Sequence, residues 1–98
     1  MESRIPSLQS KLHNAAATMK ALAHPIRLDI VISLENYEMN VTTLFETLEV
    51  PQAKLSKHLA ILLAAQIISL RREGRNHFYK LKNPELANQL TSLIADRL

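Results

Sequence analysis

The sequence has no cysteine, no tryptophan and a single glycine, Gly74. The absence of cysteine excludes disulfide bonds, thiolate metal sites and thiol-based redox switching. One glycine cannot supply a glycine-rich phosphate-binding loop, and the serine, histidine and acidic residues show no spacing typical of a catalytic triad. These absences favour a protein that is not an enzyme.

Long apolar segments are also missing. No run approaches the roughly 18 residues that a bilayer-spanning helix needs, and residues 1–10 lack the hydrophobic segment of a signal peptide. We therefore expect a cytoplasmic protein, a location that a chain without cysteine also fits. With 98 residues, 47% of them hydrophobic, the chain predicts one mostly helical domain over residues 1–98, whose small core would gain from oligomerisation.

Positive charge is concentrated in one third of the chain. The segment Pro51–Lys82 holds seven lysine and arginine residues and only one acid, Glu73, whereas the whole chain has a net charge of +3. This asymmetry is typical of a surface that faces phosphate groups, but a solvated basic face without a partner has the same composition. The seven residues are Lys54, Lys57, Arg71, Arg72, Arg75, Lys80 and Lys82.

Apolar spacing and helix-end signals predict five helices. Ser7 is a plausible N-cap of the first, Pro25 suits the first turn of the second, and Thr43 with Glu46 has capping-box spacing for the third. The predicted spans are Ser7–Ala23, Pro25–Glu35, Thr42 or Thr43 to Leu48, Gln52–Ala65, and a last helix that follows Asn83 and Pro84.

The first and last helices each carry an apolar stripe. A stripe of this kind packs either into the core or against another subunit, and so small a domain leaves the last helix without an obvious partner. We therefore expect residues 1–23 and 84–98 to pair the two chains of a two-fold homodimer. The stripes are Leu8, Leu12, Ala15, Met19 and Leu22, and Leu86, Leu90, Leu93, Ile94 and Leu98.

Residues 41–66 have the pattern of a helix-turn-helix, with the turn at Val50 and Pro51. The fourth helix directs Leu55, Leu59 and Leu62 inward. Its opposite face consists of small and polar residues, which let a helix approach the major groove and contact base edges and phosphates. An ordinary amphipathic surface helix is the alternative. The outward residues are Gln52, Ala53, Lys54, Ser56, Lys57 and Ala60.

Residues 67–82 predict a β-hairpin, with strands at Ile67–Arg72 and His77–Leu81 and Gly74 in the tight turn. Basic residues cluster at its tip, so the hairpin can contact backbone phosphates or the minor groove. The whole order, α-α-α-α-β-β-α, is that of a winged helix-turn-helix, a mainly helical fold with a small β-hairpin, so we expect double-stranded DNA as the partner. The candidate contacts in the hairpin are Arg71, Arg72, Arg75 and Asn76.

Three segments together resemble the ArsR/SmtB family of dimeric bacterial transcriptional repressors: LAHPIRLDI at 22–30, LSKHLAIL at 55–62 and RREGR at 71–75. The resemblance implies dimerisation through the first and last helices and repression at a palindromic promoter operator. It places DNA contacts in the fourth helix and the wing. His58 is equally compatible with a half-buried structural role. The implied contacts are Gln52, Ala53, Ser56, Lys57, His58, Arg72 and Arg75.

The sequence departs from the family pattern at its metal sites. Asn40 and Thr42 stand where many members have cysteine, and the last helix offers Glu85 and Asp96 but no histidine. We therefore expect no metal and no cofactor. A sensor of the same family with an unrecognised metal or small-molecule site, or a protein-interaction module on the same fold, remain alternatives.

A second departure affects the wing. Gln66 stands where the family usually has glycine after the recognition helix. A left-handed backbone costs glutamine more than glycine, so the angle of the wing to the DNA is open.

Overall fold

Five helices and three strands make up the part of the chain that the computed structural model describes, residues 6–95. Asp96 and Leu98, both named in the sequence predictions, lie outside that range. The elements in order are α1 (Pro6–Leu22), α2 (Pro25–Ser33), β1 (Met39–Asn40), α3 (Val41–Leu48), α4 (Gln52–Ala64), β2 (Ile68–Glu73), β3 (Asn76–Leu81) and α5 (Glu85–Ala95).

The core lies among α2, α3, α4 and the sheet. The three leucines predicted to face inward from α4, Leu55, Leu59 and Leu62, are all buried, which confirms the orientation of that helix. Ala87 is the only residue of α5 that is fully enclosed, and α2 packs against this helix. The other fully buried side chains here are Ile30 and Val31 of α2, Leu34 at its C-cap and Leu44 of α3.

Helix α1 contributes little to this core. Every residue from Ser7 to Ala17 is exposed, and only Ala21 and Leu22 in the last turn are buried. Pro6 already belongs to the helix, so Ser7 lies inside it and the predicted N-cap at Ser7 is wrong. Most of α1 therefore projects from the rest of the protein with its apolar stripe uncovered.

The ends of α2 and α3 are capped by residues that precede them. Pro25 occupies the first turn of α2, as predicted, and the backbone N–H of Ile26 donates to Nδ1 of His24, at 3.1 Å. For α3, the Thr43 N–H donates to Oδ1 of Asn40, at 2.8 Å. The predicted cap at Thr42 or Thr43 is wrong because asparagine, a preferred N-cap, starts the helix earlier.

The end of α4 explains how glutamine is tolerated where glycine was expected. Gln66 has φ of 64°. Its N–H donates to the carbonyl of Leu63, while the Ile67 N–H donates to the carbonyl of Leu62, which is the Schellman pattern. Gln66 thus adopts the left-handed backbone that glycine would favour, and the chain enters the wing through a regular helix stop.

The wing is part of a three-stranded antiparallel sheet with the order β1-β3-β2. The β2–β3 hairpin is as predicted, with Glu73 opposite Asn76, and Gly74 in the turn has φ of 61°. The sequence does not predict β1, because a strand of two residues has no alternation of its own. This strand pairs Met39 with Tyr79 and joins the wing to the start of α3. The arrangement is the predicted winged helix-turn-helix with one added strand.

Candidate nucleic-acid interface

The outward face of α4 is open over its first two turns. Gln52, Ala53, Ser56 and Lys57 are all exposed, because the leucines on the opposite face hold the helix against the core. The helix has no side-chain cap at Pro51, so its first N–H groups are not satisfied by a capping side chain. Donors of this kind, together with the positive end of the helix dipole, favour phosphate oxygens nearby.

The wing presents one face to α4. Alternation along the strands places Arg72 of β2 opposite His77 of β3. Both line a groove of about 410 Å³ with Gln52 and Ser56 of α4. The structure thus brings a polar stretch of the recognition helix and a basic stretch of the wing onto one surface, with Tyr79 in its floor.

The turn of the wing lies beyond this groove. Arg75 and Asn76 are exposed. A Cβ placed on Gly74 would have no other atoms within 4 Å apart from those of the adjacent residues. The tip therefore extends freely from the sheet. Arg75 brings a positive charge to the end of the wing at the largest distance from the hairpin's base.

Arg71 is oriented differently from the other candidate contacts. It lies opposite Phe78 in the hairpin, on the face that does not line the groove with α4. Its guanidinium stacks over the Phe78 ring at 4.5 Å and pairs with the carboxylates of Glu38 and Glu73. Of the ten residues predicted to contact DNA, Arg71 is the one that the structure engages in an ion-pair cluster.

His58 belongs to α4, and its side chain lies against His24 at the start of α2. Its side chain is half-buried, its Nδ1 is buried without a hydrogen-bond partner, and its ring contacts that of His24. Burial first, and then the positive charges of nearby side chains, hold the pKa of His58 below its usual value. The two histidines line a cavity with Lys54 and Lys57, so this surface is continuous with the basic side of α4.

Three residues that contact the candidate site residues were not singled out from the sequence: Glu38, His24 and His77. Glu38 is a lone acid in a loop, and nothing in its spacing indicated a partner 33 positions away. His24 belongs to a quoted motif, but its contact with His58 depends on how α2 and α4 cross. His77 begins the second predicted strand of the hairpin, and the period-two alternation of β3 was the signal for its direction.

Residues 6–95 lack the features of a metal site and of a membrane span. Within that range, no three histidine, aspartate or glutamate side chains lie close enough together to hold a metal ion. Among the described helices, none combines the length and the hydropathy needed to span a bilayer.

Comparison with known proteins gives a consistent family. Residues 24–69 match the family described as bacterial regulatory protein, arsR family. The chain is 33% identical over 91 residues to the biofilm growth-associated repressor of Agrobacterium fabrum, covering 93% of this chain and 78% of that protein. It is 36% identical over 90 residues to the HTH-type transcriptional repressor SmtB of Mycobacterium tuberculosis, covering 92% and 67%.

The fold has a solved counterpart. The solution structure of the homodimeric winged helix-turn-helix DNA-binding domain of a possible ArsR-family regulator from Mycobacterium bovis superposes with a TM-score of 0.80. The match covers 98% of this chain and 91% of that one, at 24% identity. The fold and the sequence relatives agree: the chain belongs to the ArsR family of bacterial regulatory proteins, and it is a DNA-binding transcriptional regulator rather than an enzyme.

Proposed function

We propose that this protein is a cytoplasmic repressor that binds a palindromic promoter operator as a homodimer. The observation that carries the proposal is the shared groove: Gln52 and Ser56 of α4 and Arg72 and His77 of the wing line one surface. A helix in the major groove and a wing on the adjacent backbone need their contact residues on one side of the protein.

The recognition helix has the chemistry for base readout. Ala53 and Ala60 are small, so the backbone of α4 can approach the groove floor closely. We assign Gln52 and Ser56 to base edges, and Lys54 and Lys57 to the flanking phosphates. His58, half-buried against His24, is assigned to holding α4 against α2 rather than to DNA.

The wing supplies contacts to the DNA backbone. We assign Arg72, Arg75 and Asn76 to the phosphate backbone or the minor groove beside the recognition helix. Such contacts fix the register of the protein on the duplex and make affinity fall steeply with salt, because each one releases counterions.

Dimerisation follows from the apolar surface of the terminal helices. Met19 of α1 is 69% exposed and Leu93 of α5 is 54% exposed, although both are large and apolar. They border an apolar groove of about 580 Å³, and exposed apolar patches of this kind are typical of subunit interfaces. The solved Mycobacterium bovis domain is homodimeric. Other residues that line the groove are Ala15, Leu22, Leu28, Leu86 and Leu90.

A symmetric pair of chains sets the geometry of the operator. Two α4 helices related by a two-fold axis would enter successive major grooves about 34 Å apart, which requires an inverted repeat with one helical turn between half-site centres. A protein bound in this way across a promoter would exclude RNA polymerase.

The experiment is a DNase footprint on a duplex selected by the wild-type protein from a random pool. We expect a protected inverted repeat, a complex with two chains, and a strong salt dependence. Zinc added to the complex is expected to leave the footprint unchanged, since Asn40 and Thr42 supply no thiolate ligand. Salt-insensitive capture of a protein without any footprint would contradict the proposal and identify an interaction module instead.

A further inference from the structure

Glu38 and Arg71 form a two-point ion pair between separate parts of the fold. Nε of Arg71 donates to Oε2 of Glu38 at 3.0 Å, and Nη2 donates to Oε1 at 2.7 Å. This fork geometry holds the two side chains in one relative orientation, which a single contact cannot do. The pair joins β2 of the wing to the residue that precedes β1.

The third guanidinium nitrogen and the flat face of the Arg71 guanidinium also have partners. Nη1 of Arg71 donates to Oε2 of Glu73 at 2.8 Å, and the guanidinium plane lies over the Phe78 ring. All three nitrogens of Arg71 therefore have carboxylate partners. Those hydrogen bonds raise the pKa of Arg71 above its usual value, and the Arg71 guanidinium lowers the pKa of Glu38.

The direction of Arg71 separates it from the other basic residues of the wing. Arg72 lines the groove with α4, whereas Arg71, the preceding residue, lies on the opposite face of the hairpin with Phe78. A duplex that contacts α4 and Arg72 together would meet the other side of the sheet from Arg71.

Glu38 is connected to the helix-turn-helix over a very short stretch. The two residues after it form β1, which pairs with β3 at Tyr79 and Phe78. The second of them, Asn40, caps α3. The ion pair thus fastens β2 to the strand whose end is also the start of the helix-turn-helix.

We propose that Glu38 and Arg71 are positioning residues that set the angle of the wing relative to α4, and through it the contribution of the wing tip to DNA binding. The proposal rests on the operator-binding function proposed above. Arg71 acts here through Glu38 and not as a phosphate contact, although it belongs to the basic sequence of the wing.

Two substitutions separate positioning from direct contact. Arg71→Lys keeps the positive charge but loses the fork and the stacked plane. A phosphate contact would tolerate it, whereas a positioning role would not. Glu38→Gln removes the ionic partner of Arg71. If the released Arg71 contacted phosphate directly, binding would become stronger, whereas loss of the wing angle weakens it. Glu46→Gln, at an exposed position on α3, is the matched control for charge.

The measurement is affinity for the selected duplex at fixed salt, with thermal melting as the check that each variant is folded. We expect Arg71→Lys and Glu38→Gln each to weaken binding by roughly three- to tenfold, the scale of one or two lost phosphate contacts. Combining them should cost no more than either alone, and the exchange of charges in Glu38→Arg with Arg71→Glu should recover part of the loss.

A second background tests that the effect passes through the wing. In a protein carrying Arg75→Ala, which removes one of the wing contacts, Glu38→Gln should weaken binding by a smaller factor than it does in the wild type. Full additivity with Arg75→Ala, or unchanged or tighter binding by Glu38→Gln, would overturn the positioning role. Failure of the proposed function looks different, because the wild-type protein would then select no duplex and Lys57→Ala would change nothing.

Discussion

The imidazole of His58 on α4 lies against that of His24 at the start of α2, with ring centroids 4.3 Å apart and ring planes inclined by 46°. His24 also accepts the Ile26 N–H through Nδ1, which requires that nitrogen to be unprotonated. The groups that face His58 are all basic: His24, Arg27, Lys54 and Lys57. The surroundings of His58 therefore favour its neutral imidazole.

We predict that this contact makes the protein less stable in mild acid. The folded pKa of His58 is lowered from 6.5, by burial first and by the neighbouring positive charges second. The unfolded chain therefore gains this proton before the folded chain does. The free energy of unfolding should fall as pH drops below 6.5 and level off once pH passes the folded pKa.

The measurement for this prediction is urea unfolding at about pH 7.5 and about pH 5, compared between wild type and His58→Gln. The variant should lose less stability between the two conditions, since glutamine does not titrate. His13→Gln, at an exposed position on α1, is the matched control and should behave as wild type. An identical pH dependence in all three proteins would refute the role of His58.

The left-handed residue after α4 gives a prediction about stability. Gln66→Gly should raise the free energy of unfolding by about 0.5–1 kcal/mol, because glycine adopts φ of 64° without the Cβ penalty. Part of that gain is offset by the greater freedom of glycine in the unfolded chain.

Ala65→Gly is the control for the effect of glycine at α4's end, since Ala65 has φ of −82° and needs no left-handed backbone. This change should destabilise the protein in the same thermal or urea assay. If both glycine substitutions shift stability in the same direction, the strain assigned to Gln66 is wrong.

The two kinds of contact on α4 should respond differently to substitution. Lys57→Ala should weaken binding to selected and random duplexes alike and reduce the salt slope by about one. Gln52→Ala should weaken the selected site by about 1–3 kcal/mol while affecting random DNA little. Lys80→Ala loses the same charge at an exposed position on the wing and serves as the control. Unaltered gel-shift affinity in both α4 variants would remove the assignment of this helix.

The apolar groove between the terminal helices predicts the assembly. Met19→Asp should convert the dimer to a monomer at micromolar concentration, because each two-fold interface would bury two carboxylates among apolar side chains. Light scattering gives the molar mass, and operator affinity should fall with it. Ala17→Asp, exposed on another side of α1, introduces the same charge and should remain dimeric. A dimeric Met19→Asp protein would exclude this face as the interface.

The sequence was informative wherever one helix or hairpin determines its own structure. The three leucines of α4 recur at helical spacing, so their burial followed from periodicity alone. Gly74 marked the hairpin turn, where its φ is 61°. In each case the physical cause lies within a few residues of its effect.

The features that were missed depend on residues far apart in the chain. A two-residue strand has no periodicity of its own, so β1 becomes visible only when β3 lies beside it. The bond between Glu38 and Arg71 spans 33 positions, and the contact between His24 and His58 depends on helix packing. The cap of α3 was misplaced for a smaller reason, since asparagine and threonine compete for the same role.

The sheet order leaves β2 at an outer position, with β3 as its neighbour within residues 6–95. The outer half of β2 consists of charged side chains, Arg71, Arg72 and Glu73, which disfavour the addition of a strand from another molecule. Filament growth by edge-to-edge stacking is thereby suppressed, so that association between copies is left to the helical side of the molecule.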